Sequence, residues 1–180
     1  MLMSTTSTDL AVLGALSVEP MSGYALREAI RDVLGHFWSE SFGQIYPALA
    51  SLEAEEFVER VEGSRPSASL FSITASGRRR LRELVREPLP NRPPRHGALL
   101  RLYFGRHLGK AGCLSLIDEV RAEAAAGLAT FAAIREEIEA DTQHADDAPY
   151  WLTTLDLGER SARATVEWAD QARRVLGATK

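Results

Sequence analysis

The sequence has almost no cysteine: Cys113 stands alone among 180 residues. A single thiol excludes an intramolecular disulfide framework and any metal site built from clustered cysteines. No apolar run approaches the roughly 20 residues that a bilayer-spanning helix needs. The first residues lack the basic start and following apolar stretch of a secretion signal. A soluble cytoplasmic chain is the expectation. An excess of positive charge is missing as well. Lys and Arg number 21 against 25 Asp and Glu, a formal net charge of −4. The chain as a whole therefore lacks the basic footprint common in nucleic-acid binders. What is present is an ordinary core-forming composition, 45% hydrophobic and 26% charged. The length suits one or two small domains and is too short for a large multi-domain enzyme.

Proline marks the division. Residues 88–95 (PLPNRPPR) hold four prolines in eight, which removes backbone donors and blocks a continuing helix. They read as a linker between an N-terminal unit, 1–87, and a C-terminal unit, 96–180.

In the N-terminal unit, Thr8 can cap a helix carrying Leu10, Leu13 and Leu16, which Glu19-Pro20 ends. Ser22 can cap a second helix holding Tyr24, Leu26, Ile30 and Val33, with Gly35 as its stop. Ser39 or Ser41 starts a third, in which Ile45, Leu49 and Leu52 share one face and form core. Two β-type runs follow, 57–62 and 69–73, across a polar Gly- and Pro-containing turn. Thr74 caps a fourth helix reaching Arg86. Helix, helix, helix, hairpin, helix is the order of a winged helix-turn-helix.

The residues carry a specific resemblance. Gly14-Ala15-Leu16-Ser17, then Pro20-Met21-Ser22-Gly23-Tyr24-Ala25-Leu26, resembles the opening of the PadR family of bacterial transcriptional regulators. The stretch 35–49 (GHFWSESFGQIYPAL), the pair Leu52-Glu53 and the run 70–77 (LFSITASG) are similar to that family too. In the second half, 99–105 and 148–155 resemble the helical dimerisation domain of its virulence-activator type. The resemblance implies a mainly α protein, a winged helix-turn-helix domain followed by an α-helical dimerisation domain. It implies a dimeric repressor of double-stranded DNA, released by a small ligand, with no enzymatic activity.

Physical chemistry nominates the DNA contacts. A helix entering the major groove needs a polar, sterically modest leading end. Ser39, Ser41, Gln44 and Tyr46 fit. Ser41 and the helix N-terminus can donate to a phosphate, Gln44 can pair with an adenine edge, and the Tyr46 hydroxyl can reach a phosphate. Ser41 as a plain cap and Tyr46 as half-buried core are the alternatives. Ser22, Tyr24 and Arg27 at the second helix are further phosphate candidates, and Arg65 is the cation of the wing turn. The cluster Arg78, Arg79, Arg80 and Arg82 can face DNA, linker or solvent. His36, Phe37 and Trp38 read as packing that orients the third helix. Pro47 falls in the first turns of that helix or bends it.

The C-terminal unit begins with Leu99, Leu100, Leu102, Tyr103 and Phe104, which point all round a helix. Gly109 or Lys110 opens a long helix whose apolar face runs from Leu114 through Leu128 and Phe131 to Ile138, about 36 Å. The last helix carries Leu155, Ala162, Ala169 and Leu176 at seven-residue intervals. A two-fold helical homodimer is expected, with Leu128, Phe131, Leu155, Ala162 and Ala169 in its interface. Trp38, Phe104, Trp151 and Trp168 are candidates to line a pocket for a small aromatic or hydrophobic effector.

Two rival readings carry less. His144, Asp146 and Asp147 share one polar loop, with no nucleophile and no fixed scaffold, so catalysis is not expected. No cofactor or metal is implied. A winged-helix adaptor that binds protein instead of DNA is the alternative function. Through Pro90 the chain holds nine arginines against twelve acids. DNA binding would then depend on dimerisation and specific contacts rather than bulk charge.

Overall fold

The computed structural model describes residues 5–31, 42–62, 69–89 and 96–178. The chain divides into two compact units, Met1–Asn91 and Arg92–Lys180.

In the first unit, α1 (Thr5–Val18) buries Ala11, Val12, Leu13 and Leu16, and ends where Glu19-Pro20 forbids another turn. Thr8 does not cap it, because the helix begins three residues earlier and Thr8 is buried within it. A two-residue strand β1 (Met21–Ser22) leads into α2 (Gly23–Ala29). Ser22 ends the strand and caps the helix, its hydroxyl accepting from Ala25 N at 3.1 Å. A 3-10 turn, Phe42–Gln44, then opens α3 (Ile45–Ala54). The regular helix therefore starts at Ile45, later than the Ser39 or Ser41 of the sequence expectation. Pro47 is the third residue of α3, where its missing N–H is one the helix would leave unbonded anyway.

The strands β2 (Val58–Glu62) and β3 (Ser69–Ile73) pair antiparallel, Val58 opposite Ile73 and Arg60 opposite Phe71. Strand β1 adds to the other side of β3, giving the order β1-β3-β2. Helix α4 (Ala75–Arg86) follows, capped by Thr74 accepting from Gly77 N at 3.0 Å. Leu13, Leu16, Leu26, Ile45, Leu49, Leu52, Val58, Ile73 and Leu84 form one core between helices and sheet. Each buried aliphatic side chain contributes about 1.5–3 kcal/mol against exposure.

The second unit is helical: α5 (Gly97–Tyr103), α6 (Gly105–Ala140) and α7 (Ala148–Ala178). Helix α6 breaks at Gly109, whose φ of 73° and ψ of 164° suit glycine alone. Its long segment begins at Lys110. Helices α6 and α7 run antiparallel, tied by Lys110 Nζ to the Gly177 carbonyl (2.9 Å), Arg121 to Asp170 (2.7 Å), Arg135 to Glu159 (3.0 Å), and Arg173 to Asp118. Between them lie Cys113, Ile117, Phe131, Leu155 and Ala169. The Phe131 ring seats against Gly158, where a Cβ would come within 3.0 Å of Cζ.

Part of the expected dimer seam is already covered within the chain. Phe131, Leu155 and Ala169 are buried within one chain, and Ala169 has no exposed surface at all. Leu128 and Ala162 are half-buried. The seven-residue spacing marks the seam between α6 and α7 of the same chain. The apolar surface left open lies elsewhere, at Leu99, Leu100, Tyr103, Phe104, Leu108, Tyr150, Leu157 and Val175.

Candidate nucleic-acid interface

Helices α2 and α3 meet at their N-terminal ends. Gly23 is buried there, and a Cβ in its place would stand 3.0 Å from Tyr46 Cε1. Glycine thus permits the close approach that sets the two helix starts side by side. Around that junction Tyr24 is 65% exposed and Tyr46 48%. Gln44, Pro47 and Ala50 are exposed, whereas Ile45, Ala48, Leu49 and Leu52 turn inward. Tyr46 is therefore not core. Gln44 precedes the helix, makes no side-chain cap bond and is exposed at the leading end.

The other nominated residues divide. The half-buried Ser22 commits its oxygen to the helix cap and retains its hydroxyl proton for donation. Arg27 is half-buried. Arg31 pairs with Glu28 at 2.6 Å. Ser39, Ser41, Arg65 and Trp38 lie outside the described residues, as do His36 and Phe37. On α4, Arg78 reaches the Ser17 carbonyl (3.4 Å) and Arg80 pairs with Glu83 (3.2 Å), while Arg79, Arg82 and Arg86 are exposed.

Besides the β1–β3 pairing, two joints fix the hairpin, one to the start of α4 and one to α3. At its base, Glu56 takes a positive φ of 59° to turn the chain out of α3. The carbonyls of Glu56 and Phe57 are gripped from the start of α4. Thr74 Oγ1 lies 2.8 Å from the Glu56 carbonyl, Ser76 Oγ donates to it at 2.9 Å, and Thr74 N donates to Phe57 O at 3.0 Å. Farther along, Arg60 makes a two-pronged bond to Glu53 of α3 (2.6 and 3.1 Å), with its guanidinium 5.2 Å from the centre of the Phe71 ring. The Arg60 hydrogen bond holds the Glu53 carboxyl below its ordinary value. Sequence periodicity did not reveal this joint, because its partners sit on a helix and two strands. The two-residue β1 was also missed; it carries no alternation of its own.

The nominated effector residues do not converge within the helical unit. Trp151 stands beside His144, ring centres 5.9 Å apart, and Trp168 is 17 residues farther along α7, about 26 Å. Phe104 lines an open cavity of about 320 Å³ with Leu100, Arg101, His107 and Leu108. A second cavity of about 460 Å³ opens between α5, the start of α6 and the end of α7, among Leu102, Tyr103, Arg106, Lys110, Ile117 and Leu176. His144 itself is held by Asp141 at 2.7 Å in the α6–α7 loop.

Three helices, a short sheet with a β2–β3 wing, and an exposed junction of helix starts define a winged helix-turn-helix protein, here joined to a helical unit. Two family profiles then account for most of the chain. The transcriptional regulator PadR-like family matches residues 12–83, and the virulence activator alpha C-terminal domain matches 94–177. The chain thus joins a PadR-like family domain to a virulence-activator C-terminal domain, and the family and its homologues are transcriptional regulators rather than enzymes. A probable transcriptional regulator of Mycobacterium tuberculosis is 28% identical over 180 residues, covering 92% of this chain and 95% of its own. A PadR-like regulator of Bacillus cereus superposes with a TM-score of 0.81 at 26% identity, covering 96% of this chain and 99% of that one. The negative transcriptional regulator PadR of Bacillus subtilis is 32% identical over 99 residues, 52% of this chain and 54% of its own. Its structure with operator DNA shares the fold, with a TM-score of 0.75 at 22% identity over 93% and 98% of the two chains. That protein has also been solved with p-coumaric acid.

Proposed function

We propose that this regulator represses transcription as a homodimer, by placing α3 of each protomer in successive major grooves of a palindromic operator. The observation that carries the reading is the shared, exposed junction of α2 and α3. It displays Tyr24, Gln44 and Tyr46 while Ile45, Ala48, Leu49 and Leu52 of α3 turn into the core. Gln44 reads a base edge, Tyr46 and Tyr24 hold phosphates, and Ser22 donates its remaining proton to the backbone. Ser39, Ser41, Arg27 and Arg65 are the further contacts of this reading.

Dimerisation belongs to the helical unit, 96–180. A single antiparallel helix pair leaves its outer faces uncovered, and α5 exposes Leu99, Leu100 and Tyr103, the last 84% exposed. Two DNA-reading units held about 34 Å apart match half-sites one DNA turn apart. A small aromatic or hydrophobic effector releases the DNA in this scheme. The 460 Å³ cavity supports that part, having the volume of an ordinary ligand site and a mainly apolar lining. The operator complex and the negative role of the Bacillus subtilis relative support the DNA-bound and repressing states.

Gel-shift and anisotropy titrations test the reading. Gln44→Ala should reduce discrimination between an enriched duplex and a scrambled one, whereas Tyr46→Phe should weaken both alike. Equal losses on both duplexes for Gln44→Ala would reject base reading. A chain that sediments only as monomer at micromolar concentration would reject the dimer.

A further inference from the structure

We propose that Arg60 is a positioning residue for DNA recognition, a clamp that fixes the wing at one angle to α3 by gripping Glu53 and stacking on Phe71. The inference rests on the reading of α3 and the wing as the DNA-facing elements.

The geometry is specific. Arg60 and Phe71 are directly opposed on β2 and β3, so their side chains share one face of the hairpin. The guanidinium lies 5.2 Å from the Phe71 ring centre and sends both prongs to the Glu53 carboxylate, at 2.6 and 3.1 Å. One side chain thereby ties together α3, β2 and β3. The hairpin already has an attachment at its base, where Thr74 and Ser76 grip the Glu56 carbonyl. Strand β1 also holds the hairpin, pairing with β3 at Phe71 and Leu70. Arg60 lies two residues beyond Val58 along β2, about 7 Å up the strand, and at that height it ties the opposite, β2, edge of the sheet to α3. The clamp also neutralises an acid on the helix that meets DNA.

Arg60 and Glu53 are both substantially exposed, with side-chain exposures of 59% and 31%. Core packing does not require the pair, and exposed ion pairs add little to stability. Their placement between the two recognition elements gives them a different use. It also sets Arg60 apart from a phosphate-binding arginine, because its fork is already occupied by carboxylate.

The test uses the full chain, a duplex enriched by wild type from a pool of random 30-mers, and a scrambled duplex of equal composition. Arg60→Gln, Glu53→Gln and the double variant are compared, each checked by thermal melting. Each single substitution should weaken binding to the enriched duplex by roughly fivefold. Binding to scrambled DNA should change by less than about twofold, and the double variant should lose no more than either single one. Glu53→Gln decides the matter. Removing an acid from α3 strengthens DNA binding if only charge counts, so a loss of specific affinity speaks for positioning. Unchanged or tighter binding by Glu53→Gln overturns the clamp. So does an equal loss on both duplexes by Arg60→Gln with a salt slope lower by about one, which marks a phosphate contact. Lowered melting temperatures with unaltered DNA binding also overturn it. A wild-type chain that enriches no duplex overturns the DNA reading itself, and the clamp with it.

Discussion

Replacing Gly77 with alanine would strike the joint between α4 and the base of the wing. A Cβ there would stand 2.1 Å from the Phe57 carbonyl oxygen, 2.8 Å from Ile73 Cγ1 and 3.0 Å from the Phe57 carbonyl carbon. Close carbon–oxygen contacts settle near about 3.3 Å, so α4 and the Phe57 backbone must separate by more than about 1 Å. Neither side yields freely. The Phe57 carbonyl accepts from Thr74 N at 3.0 Å, and the adjacent Glu56 carbonyl is gripped by Thr74 and Ser76. Overpacking of this kind costs about 1–3 kcal/mol, and a lost hydrogen bond adds about 1 kcal/mol. The better helix propensity of alanine offsets about 0.5–1 kcal/mol. The net loss spans about 1–3.5 kcal/mol and centres near about 2 kcal/mol. For a unit of this size each kcal/mol moves the midpoint by about 4–8 °C, so a fall of about 8–16 °C is expected in calorimetry of the full chain. A midpoint within about 2 °C of wild type would refute the close-packed joint.

Other expectations follow from the same contacts. Thr74→Ala removes the α4 cap and the hydroxyl on Glu56, and should lower stability by about 1–2 kcal/mol in urea titrations; Thr74→Ser should retain most of it, and equal losses would contradict the hydroxyl's role. Ala169→Leu forces extra volume between α6 and α7 and should cost about 1–3 kcal/mol, read as a lower urea midpoint. An unaffected midpoint would place Ala169 outside the intrachain seam. The Asp141 carboxyl is held below its ordinary value, first by the His144 ring and then by the backbone N–H groups of His144 and Gln143. Its contribution is complete above the unfolded value, near about pH 4, and is lost as pH falls through the lowered folded value. Asp141→Asn should therefore flatten the acid-side decline in urea midpoint, and identical declines would reject the linkage.

Local signals in the first unit were strong enough to read. Glu19-Pro20 stops a helix wherever it occurs, Thr74 has its Gly77 N–H within the same turn, and Ile45, Leu49 and Leu52 share a face in any helix containing them. The two wing strands were legible because runs of β-type residues and a Gly/Pro turn are properties of adjacent residues. The helix starts were less so. Ser39 and Ser41 are good caps by residue type, yet α3 begins at Ile45, after a 3-10 turn that has no distinctive composition. Of the DNA-contact candidates, Tyr24, Gln44 and Tyr46 are exposed at the helix starts, while Ser22 is already engaged as a cap and Arg27 is half-buried.

The order of the helices and the wing strands, the caps Ser22 and Thr74 and the apolar stripes were determined by the sequence alone, because each depends on backbone preferences and spacings within a few residues. Which stripe meets which was decided by tertiary structure. The heptad through Leu155, Ala162 and Ala169 specifies a close helix contact but is silent on whether the neighbour is another chain; α6 of the same chain buries Leu155 and Ala169. Glu53 and Arg60 look like two surface charges seven residues apart until the turn at Glu56 folds β2 back beside α3. Side-chain forces act over a few ångströms of space, and the chain's path alone determines which distant residues come within that reach.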